Sequence, residues 1–170
     1  MLSADEVIRY EEVNSIRAIG NVRLQNNDGS VITSSEMEYD GNTQKGVAKK
    51  NVVLTDPKGT IIKTETMYYD RVSNQAYYNT GGTINDGKSI TYAKSATYFL
   101  TTRTIDLTGR VKITDKDYTL EGDNVVQNQN TNIVTINGYT TITNNKNPKN
   151  RIITDSLMKW RINQHESKGV

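Results

Sequence analysis

Few residues in this 170-residue chain are of a type that does covalent chemistry. Cysteine is absent, which excludes disulfides, thiolate metal sites and cysteine nucleophiles. The single histidine, His165, lies in a polar C-terminal stretch and offers no partner set for a Ser-His-Asp relay or a multi-histidine metal site. Asp115 and Asp117 could pair, but their setting reads as two solvated turn formers. The segment 80–87 has the glycines of a calcium-binding β-roll without its nonapeptide period. No Gly-x-x-x-x-Gly-Lys-Ser/Thr loop is present, so the chain holds no nucleotide-driven motor. Lys49-Lys50 and the cluster at 146–151 read as solvated surface, with anionic sugar or phosphate headgroups as the second reading. No carboxylates or basic residues gather on one strand face as a polysaccharide lyase or hydrolase requires. The chain is read as no enzyme, with no cofactor and no metal.

What remains is the chemistry of apolar surface, and here the spacing is informative. Tyr39 ends the run Ile32-Thr33-Ser34-Ser35-Glu36-Met37-Glu38-Tyr39, and Tyr69 ends Ile62-Lys63-Thr64-Glu65-Thr66-Met67-Tyr68-Tyr69. In both, isoleucine stands seven before the tyrosine and methionine two before it. The frame also fits Ile153, Met158 and Trp160. Weaker copies end at Tyr10, Tyr98 and Gln127, with Ile8, Ala96 and Val125 in the methionine column. The anchors 10, 39, 69, 98, 127 and 160 lie about 29–33 residues apart.

Between the anchors runs a second element of strict period two: Ala18, Gly20, Val22 and Leu24, then Ala48, Lys50, Val52 and Leu54. Looser or longer copies begin at Tyr78, Ile105 and Val134. Period two is the mark of a strand with one apolar face. Asp28-Gly29, Lys58-Gly59 and Asp86-Gly87 suit tight turns, because glycine takes positive φ at little cost. Each unit of about thirty residues is therefore strand, turn, strand, turn. One unit cannot bury its apolar face alone, but a stack can. Almost no helix is expected. Ile32 and Met37 stand five apart and share no face of a straight strand, so a bulge near Ser34-Ser35 is expected to turn both inward. Ile62 with Met67 and Ile153 with Met158 repeat the offset. Asn137-Gly138 looks locally like a hairpin turn, whereas the repeat register places Gly138 inside a strand beside Gly20 and Gly109; the register is preferred. Those three glycines are expected to permit twist or close approach.

Composition fits an elongated β stack. Hydrophobic residues make up 34% of the chain, and the charge is +2 from 21 basic and 19 acidic residues. A thin core follows, and nucleic acid is not expected as a partner. No run of apolar residues is long enough to span a membrane as a helix, and the first residues do not read as a signal peptide. A single β-repeat domain over 1–170 is expected, with a final half-repeat at 151–163 and a polar tail at 164–170.

The inward columns are Val22, Leu24, Met37, Tyr39, Val52, Leu54, Met67, Tyr69, Tyr98, Val111, Ile113, Ile136, Ile142, Met158 and Trp160. Two sheets lined this way either pack shut or splay around an apolar slot. A slot suits acyl chains, since each methylene removed from water contributes about 0.8 kcal/mol. Methionine adapts to varied chains, and tyrosine offers an apolar body with a hydroxyl at the rim.

The frame Ile-Thr-x-x-x-Met-x-Tyr-Asp followed by Ala18-Ile19-Gly20-Asn21-Val22-Arg23-Leu24 resembles the OstA/LptA family, through most of the chain from about Ala4 to Trp160. The resemblance implies an OstA-like β-jellyroll of two facing antiparallel sheets, here about five to six repeats. It implies a periplasmic bridge that guides lipopolysaccharide, or another acylated glycolipid, from the inner to the outer membrane. Other Lpt-type transport components would be partners. LptC and the periplasmic domain of LptD carry related domains. The first strand, near Glu6–Tyr10, and the last, near 152–162, are expected edges for head-to-tail homo-oligomers. The competing reading is a structural or adhesive β-repeat protein with a closed core and no lipid ligand.

Overall fold

The computed structural model describes residues 1–162. His165 and the polar tail lie outside the described residues. Fifteen strands follow one another: β1 (Leu2–Ser3), β2 (Glu6–Tyr10), β3 (Ser15–Gln25), β4 (Val31–Asp40), β5 (Lys45–Thr55), β6 (Ile61–Asp70), β7 (Gln75–Tyr78), β8 (Gly82–Asn85), β9 (Ile90–Ala93), β10 (Ser95–Phe99), β11 (Thr104–Thr114), β12 (Tyr118–Asn128), β13 (Ile133–Asn144), β14 (Arg151–Asp155) and β15 (Met158–Arg161). The helical content among the described residues is a 3₁₀ turn at Glu11–Val13.

Every strand pairing is antiparallel, and the whole forms one continuous meander. Where a rung is broken, its two pieces pair with the two halves of the same neighbour. β7 and β8 both pair with β6, β9 and β10 with β11, and β14 and β15 with β13.

The two layers arise because each long rung bends at its middle. Between β3 and β4, Ile19 pairs with Glu36 and Val22 with Ser34, so Gly20 and Asn21 oppose Ser35 alone. The same two-against-one step sets Lys50-Asn51 against Glu65, Gly109-Arg110 against Asp123, and Gly138-Tyr139 against Asp123. The expected bend at Ser34-Ser35 is present, since Ile32, Ser34 and Met37 are all buried. The inserted residue, however, sits on the neighbouring strands. The reason is backbone conformation. Gly20, Asn21, Lys50, Asn51, Gly109, Arg110 and Gly138 all take positive φ, and glycine and asparagine enter that region at the lowest cost. β13 runs unbroken through Gly138, so the repeat register prevails over the local hairpin signal.

The turns share one device. The carboxylate or amide oxygen of a leading Asp or Asn accepts hydrogen bonds from backbone N–H groups two to four residues on. Asp40, Asp56, Asp70, Asp86, Asp115, Asn128 and Asn144 all do so. The Asp of each Tyr-Asp pair therefore closes a turn. Asp115 and Asp117 stand in such a turn, with Asp115 accepting from the N–H groups of Asp117 and Tyr118.

Two repeats depart from the expected frame. β2 pairs with β3 so that Val7 faces Ala18 and Ile8 faces Arg17. Ile8 and Tyr10 therefore lie on the outer face, one residue out of step with the inward columns. At the other end, Ile152 pairs with Ile142 and Ile153 with Thr141. Ile152, not Ile153, thus shares the inner face, although both are about half exposed at this edge (46% and 49%). The last rung breaks at Ser156-Leu157 and meets a strand that has already absorbed its bulge, so no five-residue offset is needed here.

Candidate functional site

The inner faces of the two layers enclose one apolar interior. Cross-strand pairing brings Met37 beside Ala48, Ala48 beside Met67, Tyr39 beside Gly46, Gly46 beside Tyr69, Tyr69 beside Ala76 and Ala76 beside Tyr98. Large and small residues alternate across the sheet, so each methionine or tyrosine lies over a neighbour that leaves it room. Ala96 in the methionine column belongs to this alternation: it pairs with the bulky Tyr78 and Leu107.

Along this wall the fifteen inward candidates divide by position. Val22, Met37, Val52, Leu54, Met67, Tyr69, Tyr98, Val111, Ile113, Ile136 and Ile142 are buried. Leu24, Tyr39, Met158 and Trp160, nearer the terminal rungs, are partly exposed. Pairing adds Ile32, Ile62, Ile84, Leu120 and Val134 to the buried wall. Leu120 stands five before Val125, a copy of the Ile-Met offset that the sequence frame did not include.

The two ends differ. At the N-terminal end an apolar cleft of about 200 Å³ is lined by residues that include Leu2, Ile16, Leu24, Met37 and Tyr39, with Arg71 at the same cleft. At the C-terminal end Tyr118 of one layer meets Trp160 of the other edge-on, ring centroids 5.2 Å apart. Such aromatic contacts add about 0.5–1.5 kcal/mol beyond burial.

Opposite the bend, the turns of one layer reach the turns of the other and form a polar seam that the sequence reading did not anticipate. Asp56, from the turn after β5, makes an ion pair with Arg103, from the turn before β11. Tyr98 Oη donates to Asp56 Oδ2 at 2.6 Å. Arg103 also donates to Thr60 Oγ1 and Gln129 Oε1, at 3.3 and 3.2 Å. Burial alone would raise the Asp56 pKa. Hydrogen bonds from Tyr98 and the Thr60 N–H, with the Arg103 charge, hold it below the usual carboxylate range. The same burial and the same carboxylate push the Tyr98 hydroxyl up.

Two further contacts continue the seam. Asn74 Nδ2 donates to Asp28 Oδ2 at 3.3 Å, and Tyr69 Oη donates to Asn74 Oδ1 at 3.1 Å. Burial, then the Asp28 charge, push the Tyr69 pKa up to about 12. Gln127, buried in the tyrosine column, donates to Asp86 Oδ2 at 3.3 Å and accepts from Thr91 Oγ1 at 3.4 Å. The seam escaped the sequence reading because the longer-range contacts among Asp56, Thr60, Tyr98, Arg103 and Gln129 join residues 26–69 positions apart, most of them in turns. The only local hint was the repeated Asp at the head of each turn.

The outer faces carry paired charge. Lys50 Nζ lies 2.5 Å from Glu36 and Lys49 Nζ 3.4 Å from Glu38. Lys146 lies 3.4 Å from Asp117. Solvent screens these exposed pairs, so they add little to stability. Among the described residues no group of three or more histidines, cysteines or carboxylates is placed to hold a metal ion.

Comparison with known proteins places this architecture. The chain is similar in structure to LptH, described as the LptA-homologous periplasmic component of the conserved lipopolysaccharide transport device of Pseudomonas aeruginosa. The TM-score is 0.57, with 19% sequence identity, over 64% of this chain and 81% of that one. At that identity the likeness bears on the fold, a β-jellyroll of the LptA type. No curated protein matches. A family model described as OstA-like protein matches residues 1–123, more than half of the sequence. With the bent rungs, the inward methionine and tyrosine columns and this match, the chain belongs to the OstA-like protein family.

Proposed function

We propose that the chain is a lipid-binding bridge of the periplasm that guides lipopolysaccharide, or another acylated glycolipid, from the inner to the outer membrane. The family match and the likeness to a periplasmic component of a lipopolysaccharide transport device support a transport role rather than catalysis. The observation that carries the reading is the inner wall itself. Its apolar residues form one buried cluster, with Leu24 packed against it at the N-terminal cleft and Met158 and Trp160 at the other end, all three partly exposed; Gln127 is a polar member of the tyrosine column between them. Acyl chains entering there meet Leu24, Met37, Tyr39 and Tyr69 first. A chain of about twelve carbons gains on the order of 9 kcal/mol at most from burial, before association and ordering costs.

Passage through the middle requires the layers to part, because Met67, Val52 and Leu54 are packed tightly there. β2 and the β14–β15 rung each pair on one side within the described chain, which leaves both edges able to accept a strand. Head-to-tail joining of copies, or joining to other Lpt-type components, would align the troughs into one apolar path. The motive force is external.

The tight central packing favours a second reading, a structural or adhesive β-repeat protein with a closed core. Displacement of a fluorescent fatty-acid probe by lipopolysaccharide separates the two. Saturable probe binding that lipopolysaccharide abolishes is the expected result. A chain that binds neither, while Leu24→Gln and Tyr39→Ser leave every property unchanged, is the closed-core protein.

A further inference from the structure

The apolar cleft at the N-terminal end carries one group that a hydrocarbon chain does not need. Among the described residues that line it, Arg71 is the one charged side chain. It is exposed and comes from the turn between β6 and β7. Its own N–H donates to the Gln44 carbonyl oxygen at 3.0 Å, which holds this turn against the one between β4 and β5. The guanidinium is thus brought to the cleft on a hydrogen-bonded backbone.

Among the described residues no carboxylate forms an ion pair with Arg71. Two acidic groups share its neighbourhood, since Arg71, Asp28 and Asp70 all act on the Tyr69 hydroxyl. Both are engaged elsewhere. Asp28 Oδ1 accepts from the N–H and the hydroxyl of Ser30, at 2.8 and 2.6 Å, and its Oδ2 from Asn74 Nδ2 at 3.3 Å. Asp70 accepts from the N–H groups of Val72 and Ser73 and lies 3.5 Å from Lys45 Nζ.

The wall beside Arg71 is apolar, with Ile16, Leu24 and Met37 among its members. A ligand that covers this wall draws water away from the guanidinium as well. A neutral head gives nothing in return, and an anionic head replaces what is lost. The planar fork of an arginine matches two oxygens of one phosphate. A phosphomonoester carries up to two negative charges, which outweighs the repulsion from Asp28.

We propose that Arg71 makes this cleft selective for acyl lipids whose head bears a phosphate, the chain lying against Leu24 and Met37 and the phosphate oxygens accepting from the guanidinium. The inference rests on the reading of the trough as an acyl site and adds to it the charge of the cargo. Arg71 contributes discrimination, and the apolar wall contributes the affinity that all acyl ligands share.

Isothermal titration calorimetry on the full chain tests this with two lipids that differ by the phosphate alone, lauroyl lysophosphatidic acid and monolauroylglycerol, each below its micelle concentration. Glycerol 3-phosphate, which lacks the chain, is the third ligand. Wild type is expected to bind the lysophosphatidic acid about fivefold or more tighter than the neutral lipid, and glycerol 3-phosphate far more weakly than either. Arg71→Gln should bring the two lipids within about twofold of each other while monolauroylglycerol binds as before. Arg71→Lys, which keeps the charge and loses the fork, should fall between. Leu24→Gln should weaken both lipids alike, and Lys63→Gln, an exposed cation on the outer face of β6, should change neither. No preference in wild type, a preference that survives Arg71→Gln, or an equal loss in Lys63→Gln overturns the role of Arg71 while leaving the trough intact. Glycerol 3-phosphate binding as tightly as the lysophosphatidic acid overturns the shared chain-and-phosphate site. If wild type binds neither lipid, the acyl trough itself is refuted and this selectivity with it.

Discussion

Asp56→Asn is the sharpest test of how the two layers are held together. The side chain of Asp56 is 2% exposed and that of Arg103 13%, so the pair is shielded from water. Asparagine keeps an oxygen for the Lys58 and Thr60 N–H groups, at 2.9 and 2.8 Å. The turn therefore survives, while the oxygen that accepts from Tyr98 and pairs with Arg103 gives way to an NH2 group that cannot accept. Removing one partner of a buried pair costs about 3–5 kcal/mol, because the other charge stays behind uncompensated. Arg103 retains Thr60 and Gln129 as neutral acceptors, which places the expectation near the low end, about 3 kcal/mol. For a chain of this size that lowers Tm by roughly 6–12 °C.

Urea unfolding at neutral pH measures the cost. Asp56→Asn/Arg103→Met should recover most of it, since no uncompensated charge is then left buried in the seam. The sign with pH is fixed as well. The Asp56 pKa is lower folded than unfolded, so its contribution is present above the unfolded pKa, about 3.9, and is lost as pH falls through the lower folded value. The gap between wild type and variant should close below about pH 4. A neutral-pH cost within about 0.5 kcal/mol, as for an exposed pair, or a gap that widens in acid, refutes the reasoning.

Other expectations concern the wall, the bends and the edges. Met67, 1% exposed, should tolerate Met67→Ala at a cost of about 2–5 kcal/mol, whereas Met67→Asp should abolish cooperative unfolding in urea, because a buried carboxylate there has no partner. Met67→Asp is thus a probe of folding; Leu24→Gln, at the accessible N-terminal cleft, should instead weaken fatty-acid probe binding while the urea midpoint moves little. Gly138→Ala should cost only the left-handed backbone strain, about 1–2 kcal/mol, since no atom lies within 4 Å of the added Cβ. Gly82→Ala should cost more, its Cβ falling 2.8 Å from the Lys63 carbonyl oxygen and the Tyr78 ring; urea midpoints rank the two. Small-angle scattering should show concentration-dependent elongation for wild type that Val7→Lys on the β2 edge reduces; a strict monomer at every concentration counts against head-to-tail joining.

Much of the fold was legible because period-two alternation and a unit of about thirty residues record two physical necessities, one buried face and a stack that shares it. The Ile32–Met37 and Ile62–Met67 offsets announced the bend, but not which strand absorbs the extra residue. That choice is made by which side tolerates positive φ, and Lys50 and Arg110 do not advertise it. Ile8, Tyr10 and Ile153 matched the columns by type, yet the cross-strand partners Arg17, Ser15 and Thr141 fix their faces. A single strand read alone has no record of its partner's register. The Asp56–Arg103–Gln129 cluster was invisible for a related reason: its members are brought together by how the layers twist over one another. Gln127 looked like a failed copy of the tyrosine column, whereas its amide serves Asp86 and Thr91 across the interior.

The line of left-handed residues at Gly20-Asn21, Lys50-Asn51, Gly109-Arg110 and Gly138 has a mechanical meaning. Both layers are halves of the same rungs, and ladder hydrogen bonds run from rung to rung within each half. The molecule is built like a bound book: its covers swing about the spine without tearing a page. Resistance to gaping is set by what clasps the fore-edge, a handful of side chains from Asp28 to Gln129. The width of the opening, and so the girth of whatever slides inside, can be tuned at that clasp while the pages stay bound.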